Sequence, residues 1–212
     1  MVRTGGWVAA ALVGLLASAD GASAQAMVAL QGGVIRSTLF GSHVSGVDAH
    51  VGLYAGGSLT VPLRSGVGLR LGASLVQRGA EFDLVSPPGA GSAERADMSL
   101  DLVQLQLFLT YSVLAAGRVS PHVFGGVTPS FRVACDYVVT GFYLGSCEEG
   151  TDLRTTYFEA LGGAGVTVRY GRGAVTLDLT FQQGMSSLYE AGLGVKTRAM
   201  TFTAGAEFPL RR

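Results

Sequence analysis

Cys135 and Cys147 are the only two cysteines, and they bracket the stretch CDYVVTGFYLGSC. In an exported chain two cysteines at this spacing predict a disulfide, here clamping a small hairpin with Gly141 midway. Strict alternation along the flanking segments sets the two sulfurs on opposite faces, so the pairing requires a bulge. Such a bridge is worth about 3 kcal/mol in the loop-entropy picture. A metal held by the two thiolates and Asp136 lacks further ligands, and no metal is expected.

The remaining candidates for chemistry are weaker. His43, His50 and His122 form no constellation along the chain. His43 and Ser45 show the His-x-Ser spacing of lipid-modifying barrel esterases, but no acidic partner can be assigned to orient the imidazole. His43 and His50 belong near one rim of the fold and His122 near the other. Gly162, Gly163, Ala164 and Gly165 resemble a phosphate cradle in composition alone, because no helix follows them. Glycine there relieves crowding or permits curvature. Glu148, Glu149 and Asp152 fit no calcium-loop spacing and read as a solvated loop. No catalytic residue, cofactor or metal ligand emerges.

The elements that would position these residues are strands. In AVTLDLTFQQ, residues 174–183, Val175, Leu177, Leu179 and Phe181 alternate with Thr176, Asp178, Thr180 and Gln182. Residues two apart share one face of a strand and scatter around a helix. The same alternation recurs at about 27–36, 49–61, 67–78, 99–112, 121–133, 154–170 and 198–208. The first of these is the least clear. Eight strands result, an even count.

Connections alternate in length. Short ones fall at 62–66, 114–120 and 171–172; long polar ones fall at roughly 37–48, 79–98, 134–153 and 184–197. An antiparallel meander then has all its short turns at one end and its long loops at the other, the asymmetry of outer-membrane barrels. From Val103 to Tyr111 the alternation covers roughly 20 Å of height at the usual rise and tilt, close to the ~25 Å apolar band of such barrels. The N-terminus agrees. Arg3, an apolar run from Trp7 to Ala17, and Ala22-Ser23-Ala24 make a secretory signal peptide over 1–24, leaving 25–212 as the barrel domain.

The face opposite the apolar one decides what the apolar one meets. A soluble sheet would carry many Lys and Glu there, yet only 14% of the chain is charged against a usual ~25%. The opposite face carries Gly, Thr, Ser and Gln, with Arg70, Arg132, Arg169, Glu159, Asp178 and Glu207 by parity. Three charges of each sign suit a lumen that satisfies itself through ion pairs. Tyr54, Phe108 and Phe124 also point inward by parity. On the apolar face Tyr111, Tyr170 and Phe208 lie towards the short turns, and Phe131, Phe158 and Phe181 towards the long loops, as two interfacial girdles. A net charge of zero and no basic run exclude nucleic-acid binding.

The chain resembles the porin-like, PorT-type outer-membrane β-barrel domain proteins of Gram-negative bacteria. GLYAGGSLTVPL (52–63), PHVFGGVTPSF (121–131), FEALGGAGVTVRYG (158–171) and FTAGAEFPL (202–210) carry the resemblance. Many such barrels end on an aromatic residue, whereas here Pro-Leu-Arg-Arg follows Phe208. The resemblance implies an outer-membrane location, contact with outer-membrane lipids and insertion by the barrel-assembly machinery. It transfers no catalytic or binding residue. The expectation is therefore an all-β, eight-stranded antiparallel up-and-down transmembrane barrel with short periplasmic turns and long external loops. Its expected role is structural or surface-interacting, through those loops. A passive pore, a membrane-embedded lipid-modifying enzyme and a soluble periplasmic ligand-binding barrel are the alternatives.

Overall fold

The computed structural model describes residues 25–41, 47–64, 66–84, 94–114, 117–139, 142–146, 153–188 and 194–210. Among these residues nine strands follow one another: β1 (Met27–Phe40), β2 (Val47–Arg64), β3 (Val67–Leu84), β4 (Glu94–Ser112), β5 (Val119–Val139), β6 (Phe142–Ser146), β7 (Thr156–Tyr170), β8 (Gly173–Gly184) and β9 (Lys196–Pro209). Every pairing is antiparallel. Eight strands form a ring: β1 pairs with β9, β4 with β5, and β5 with β7, which leaves no open edge. β6 lies outside that ring and, among the described residues, pairs only with the outer end of β5.

The strands run on past the expected ends, to 18 residues in β2 and β3, 19 in β4 and 21 in β5. Apolar alternation stops near Leu75 and resumes near Val103, yet β3 and β4 stay paired up to Leu84 opposite Glu94. Backbone hydrogen bonds hold the ladder together beyond the lipid, where outward side chains no longer need to be apolar. The segments expected as long loops at 79–98 and 134–153 are therefore partly a strand wall.

Two short turns have glycines with backbone angles that suit only glycine. Gly66 has φ of 76° and Gly171 φ of 58°. Gly171 and Arg172 close a two-residue hairpin between the paired Tyr170 and Gly173. No heavy atom lies within 4 Å of a Cβ built on Gly171, so conformation alone demands glycine there. In β5 the pairing with β4 lapses around Thr128 and Pro129, where the proline has no N–H to donate.

The apolar face looks outward. Val175, Leu177, Leu179 and Phe181 are between 42% and 51% exposed, while Thr176, Asp178 and Gln182 are 3% exposed or less. Leu30, Leu53, Leu75, Leu109, Val123 and Phe202 belong to the same exposed belt. No globular protein in water leaves a continuous belt of this kind uncovered. Hydrocarbon covers it.

Candidate functional site

The lumen is the one enclosed chemical environment among the described residues, and it is layered. At the periplasmic end a vestibule of about 470 Å³ is lined by Thr60, Thr110, Ser120, Thr167, Arg169 and Glu207 among others. Above it Arg70 donates through Nη1 to Asp178 Oδ2 at 3.1 Å and through Nη2 to Glu207 Oε1 at 3.4 Å. His122 Nε2 lies 2.8 Å from Asp178 Oδ1, and Thr167 Oγ1 lies 3.4 Å from His122 Nδ1. The set is satisfied when the threonine hydroxyl donates to Nδ1 and the Nε2–H donates to the carboxylate.

Local sequence makes room for this cluster. A Cβ on Gly165 would sit 2.1 Å from Asp178 Oδ1 and 2.8 Å from His122 Nε2; one on Gly163 would sit 2.5 Å from the Phe124 ring. The glycine run that imitates a phosphate cradle is the bare wall against which an ion pair and an aromatic ring lie.

An apolar layer comes next. Phe108, Phe124 and Leu161 pack together, with the two rings 5.6 Å apart and nearly parallel. Arg70 reaches the Phe124 face at 5.9 Å. The void left between this layer and its neighbours is about 20 Å³, room for a single water.

A second ionic layer lies closer to the cell exterior. Arg78 contacts both Glu159 and Gln182. Glu159 also accepts from Gln104 Nε2 at 2.9 Å, Ser130 Oγ at 3.0 Å and Thr197 Oγ1 at 2.8 Å. Arg78 and Glu159 are 1% and 0% exposed. Outermost is an apolar plug in which Leu39, Met98, Leu100 and Tyr157 from the wall meet Leu153 and Leu188 from the connecting segments.

Of the six charges assigned to the lumen, Arg70, Glu159, Asp178 and Glu207 are buried there. Arg132 is half-buried near the outer end, with Nη1 shut off from water. Arg169 lies at the mouth of the lumen, where it lines the vestibule, is exposed, and donates to the Gly117 carbonyl oxygen. His122 departs from the expectation. It is 4% exposed and bonded inside the lumen rather than a rim residue.

Arg78 was missed because the expected strand ended on it, although Arg70, Gly72, Ser74 and Val76 already carry the inward parity to that position. Cys135 is buried in the apolar plug and held in a disulfide; Cys147 lies outside the described residues. A register shift between Asp101 and Leu102 on β4, opposite Ala134 and Arg132, turns Cys135 inward. A second shift, between Tyr137 and Val138, interrupts the β5–β6 pairing and supplies the irregularity that the cysteine spacing demands. His43, Ser45, Glu148, Glu149 and Asp152 also lie outside the described residues. His50 has an acidic neighbour, with its Nδ1 3.3 Å from Asp97 Oδ1.

A closed eight-stranded ring with an apolar exterior and an ionic interior is an outer-membrane β-barrel. The family model of the outer membrane protein beta-barrel domain matches residues 22–190, and the chain belongs to that family. Its location is the outer membrane. Among solved structures it is similar to Neisserial surface protein A, with 12% identity, a TM-score of 0.51, and coverage of 86% of this chain and 97% of that one. It is also similar to the outer membrane protein OprG from Pseudomonas aeruginosa, with 12% identity, a TM-score of 0.50, and coverage of 91% and 99%. At these identities the likeness is one of fold. No curated protein matches the chain.

Proposed function

We propose that the protein is a non-enzymatic, non-conducting barrel that presents its outer strand extensions and external loops to partners at the cell surface. The observation that carries this reading is that the lumen is bridged from wall to wall twice, at Arg70–Asp178 and at Arg78–Glu159, with a ring layer between. Eight strands leave an interior that side chains can fill. A filled interior supports a structural role over a pore, and specificity then resides outside, as binding residues commonly lie on loops carried by a rigid scaffold.

The absence of catalysis is part of the same proposal. Thr167, His122 and Asp178 line up as hydroxyl, imidazole and carboxylate, but the hydroxyl sits a long 3.4 Å from the ring and the carboxylate is shared with Arg70. That arrangement suits a lumen tie better than an activated nucleophile. Outer-membrane lipids and the barrel-assembly machinery are the proposed partners, with no nucleic acid. The porin-like, PorT-type subdivision is proposed on the sequence motifs alone. Planar-bilayer recording on the purified barrel tests the reading. A silent membrane supports it, and steady nanosiemens conductance contradicts it.

A further inference from the structure

Above the apolar belt, the outer wall of β2, β3 and β4 carries an arrangement with no use in the lumen. The register sets Asp48 opposite Glu81, and Glu81 opposite Asp97, so three carboxylates stand in one row across three strands. Directly opposed side chains lie roughly 5 Å apart, and like charges at such positions are destabilising. Neighbouring Ala80 and Met98 are buried in the plug, so Glu81 and Asp97 face away from the lumen. Among the described residues no lysine or arginine bridges these three acids.

His50 joins the row across a break in the β2–β3 register between Ala49 and Tyr54. Its ring lies over Gly79: a Cβ there would be 2.8 Å from His50 Cγ and 3.0 Å from Cδ2. Only a glycine at this point of β3 lets the imidazole cross to β4. It ends with Nδ1 3.3 Å from Asp97 Oδ1, an oxygen shut off from water and without a hydrogen bond. Ligand atoms of His50, Glu81 and Asp97 all lie within 4.8 Å of one another.

We infer that His50, Glu81 and Asp97 form a divalent-cation site on the outer wall of the barrel, facing the cell exterior. Two ligands on arms of about 2.0–2.1 Å at a tetrahedral angle are about 3.3–3.4 Å apart, which is the spacing of the His50 nitrogen and the Asp97 oxygen. Glu81, on a flexible stem, closes the third arm, and water takes the fourth place. An imidazole nitrogen among carboxylate oxygens favours a first-row ion such as Zn²⁺ over Ca²⁺ or Mg²⁺, which prefer oxygen alone. The ion also relieves the repulsion within the acidic row.

Isothermal titration of the folded barrel in detergent with Zn²⁺ tests the site. One ion per chain is expected, with His50→Ala and Asp97→Asn each weakening binding by at least ~10-fold, since even outer-shell changes at metal sites cost that much. Each variant is first shown to retain its heat-dependent shift on gels, so that lost binding is not lost folding. Glu81→Gln gives a second, milder reduction, and His43→Ala leaves binding unchanged. The inference is overturned by no saturable binding, by full affinity in His50→Ala, by loss that follows His43 instead, or by displacement with a tenfold excess of Ca²⁺.

Discussion

Arg70 on β3 and Asp178 on β8 stand four strands apart whichever way the ring is followed, and their side chains meet at 3.1 Å. Residues at opposite ends of a barrel diameter touch only if nothing but side chains fills the space between them. That contact makes the lumen a core, built from ions and amides where a soluble protein would use leucine and valine.

The second ionic layer yields the clearest energetic prediction. Removing one partner of a buried pair strands the other, at a cost of about 3–5 kcal/mol. Arg78→Leu should therefore lower stability by about that much, because Glu159 keeps its burial and loses its cation. The double variant Arg78→Leu with Glu159→Leu should recover most of the loss. Urea unfolding in lipid vesicles measures both, and a double variant as unstable as the single one would contradict the pairing.

Gly165→Ala tests the bare wall. The added methyl meets Asp178 and His122 together, and overpacking of this kind costs about 1–3 kcal/mol. Gly171→Ala makes the comparison: its methyl meets nothing, so any cost there reflects the positive φ alone. Unfolding midpoints and heat-shift temperatures of the two variants should separate packing from backbone conformation, with Gly165→Ala losing its His122–Asp178 contact in NMR spectra.

Much of this was legible in the sequence, and the limits have physical causes. Lumen parity was readable wherever outward residues were apolar, which is why Glu159, Asp178 and Glu207 could be assigned inward. Above the lipid the outward face turns polar, so alternation vanishes although the hydrogen-bonded ladder continues. For that reason Arg78 and the outer ends of β3 and β4 went unread, whereas the cysteine spacing already marked the hairpin of β5 and β6. His50 shows a further limit: its partner Asp97 lies 47 residues along the chain, and only the register brings the two together.

The cysteines give a direct chemical prediction. Unfolded in denaturant without reductant, the chain should take up no thiol reagent, and after reduction it should take up two equivalents, one for each cysteine. Mass spectrometry reads the difference. Labelling before reduction would show that Cys135 is free.

The lipid-facing surface makes a prediction that a soluble barrel would not share. Arg in place of Leu179, at mid-height on β8, should cost about 2–4 kcal/mol in vesicles. On a water-exposed sheet the same change stays within about 0.5 kcal/mol. Folding titrations in vesicles give the value directly.

The orientation of β8 is the claim on which the rest depends, and spin labels read it most directly. In reconstituted protein, labels at Leu177 and Leu179 should collide with a lipid-soluble relaxation agent, and a label at Thr180 should be protected from it. Protection at Leu177 and Leu179 together with collision at Thr180 would turn the barrel inside out and contradict the account.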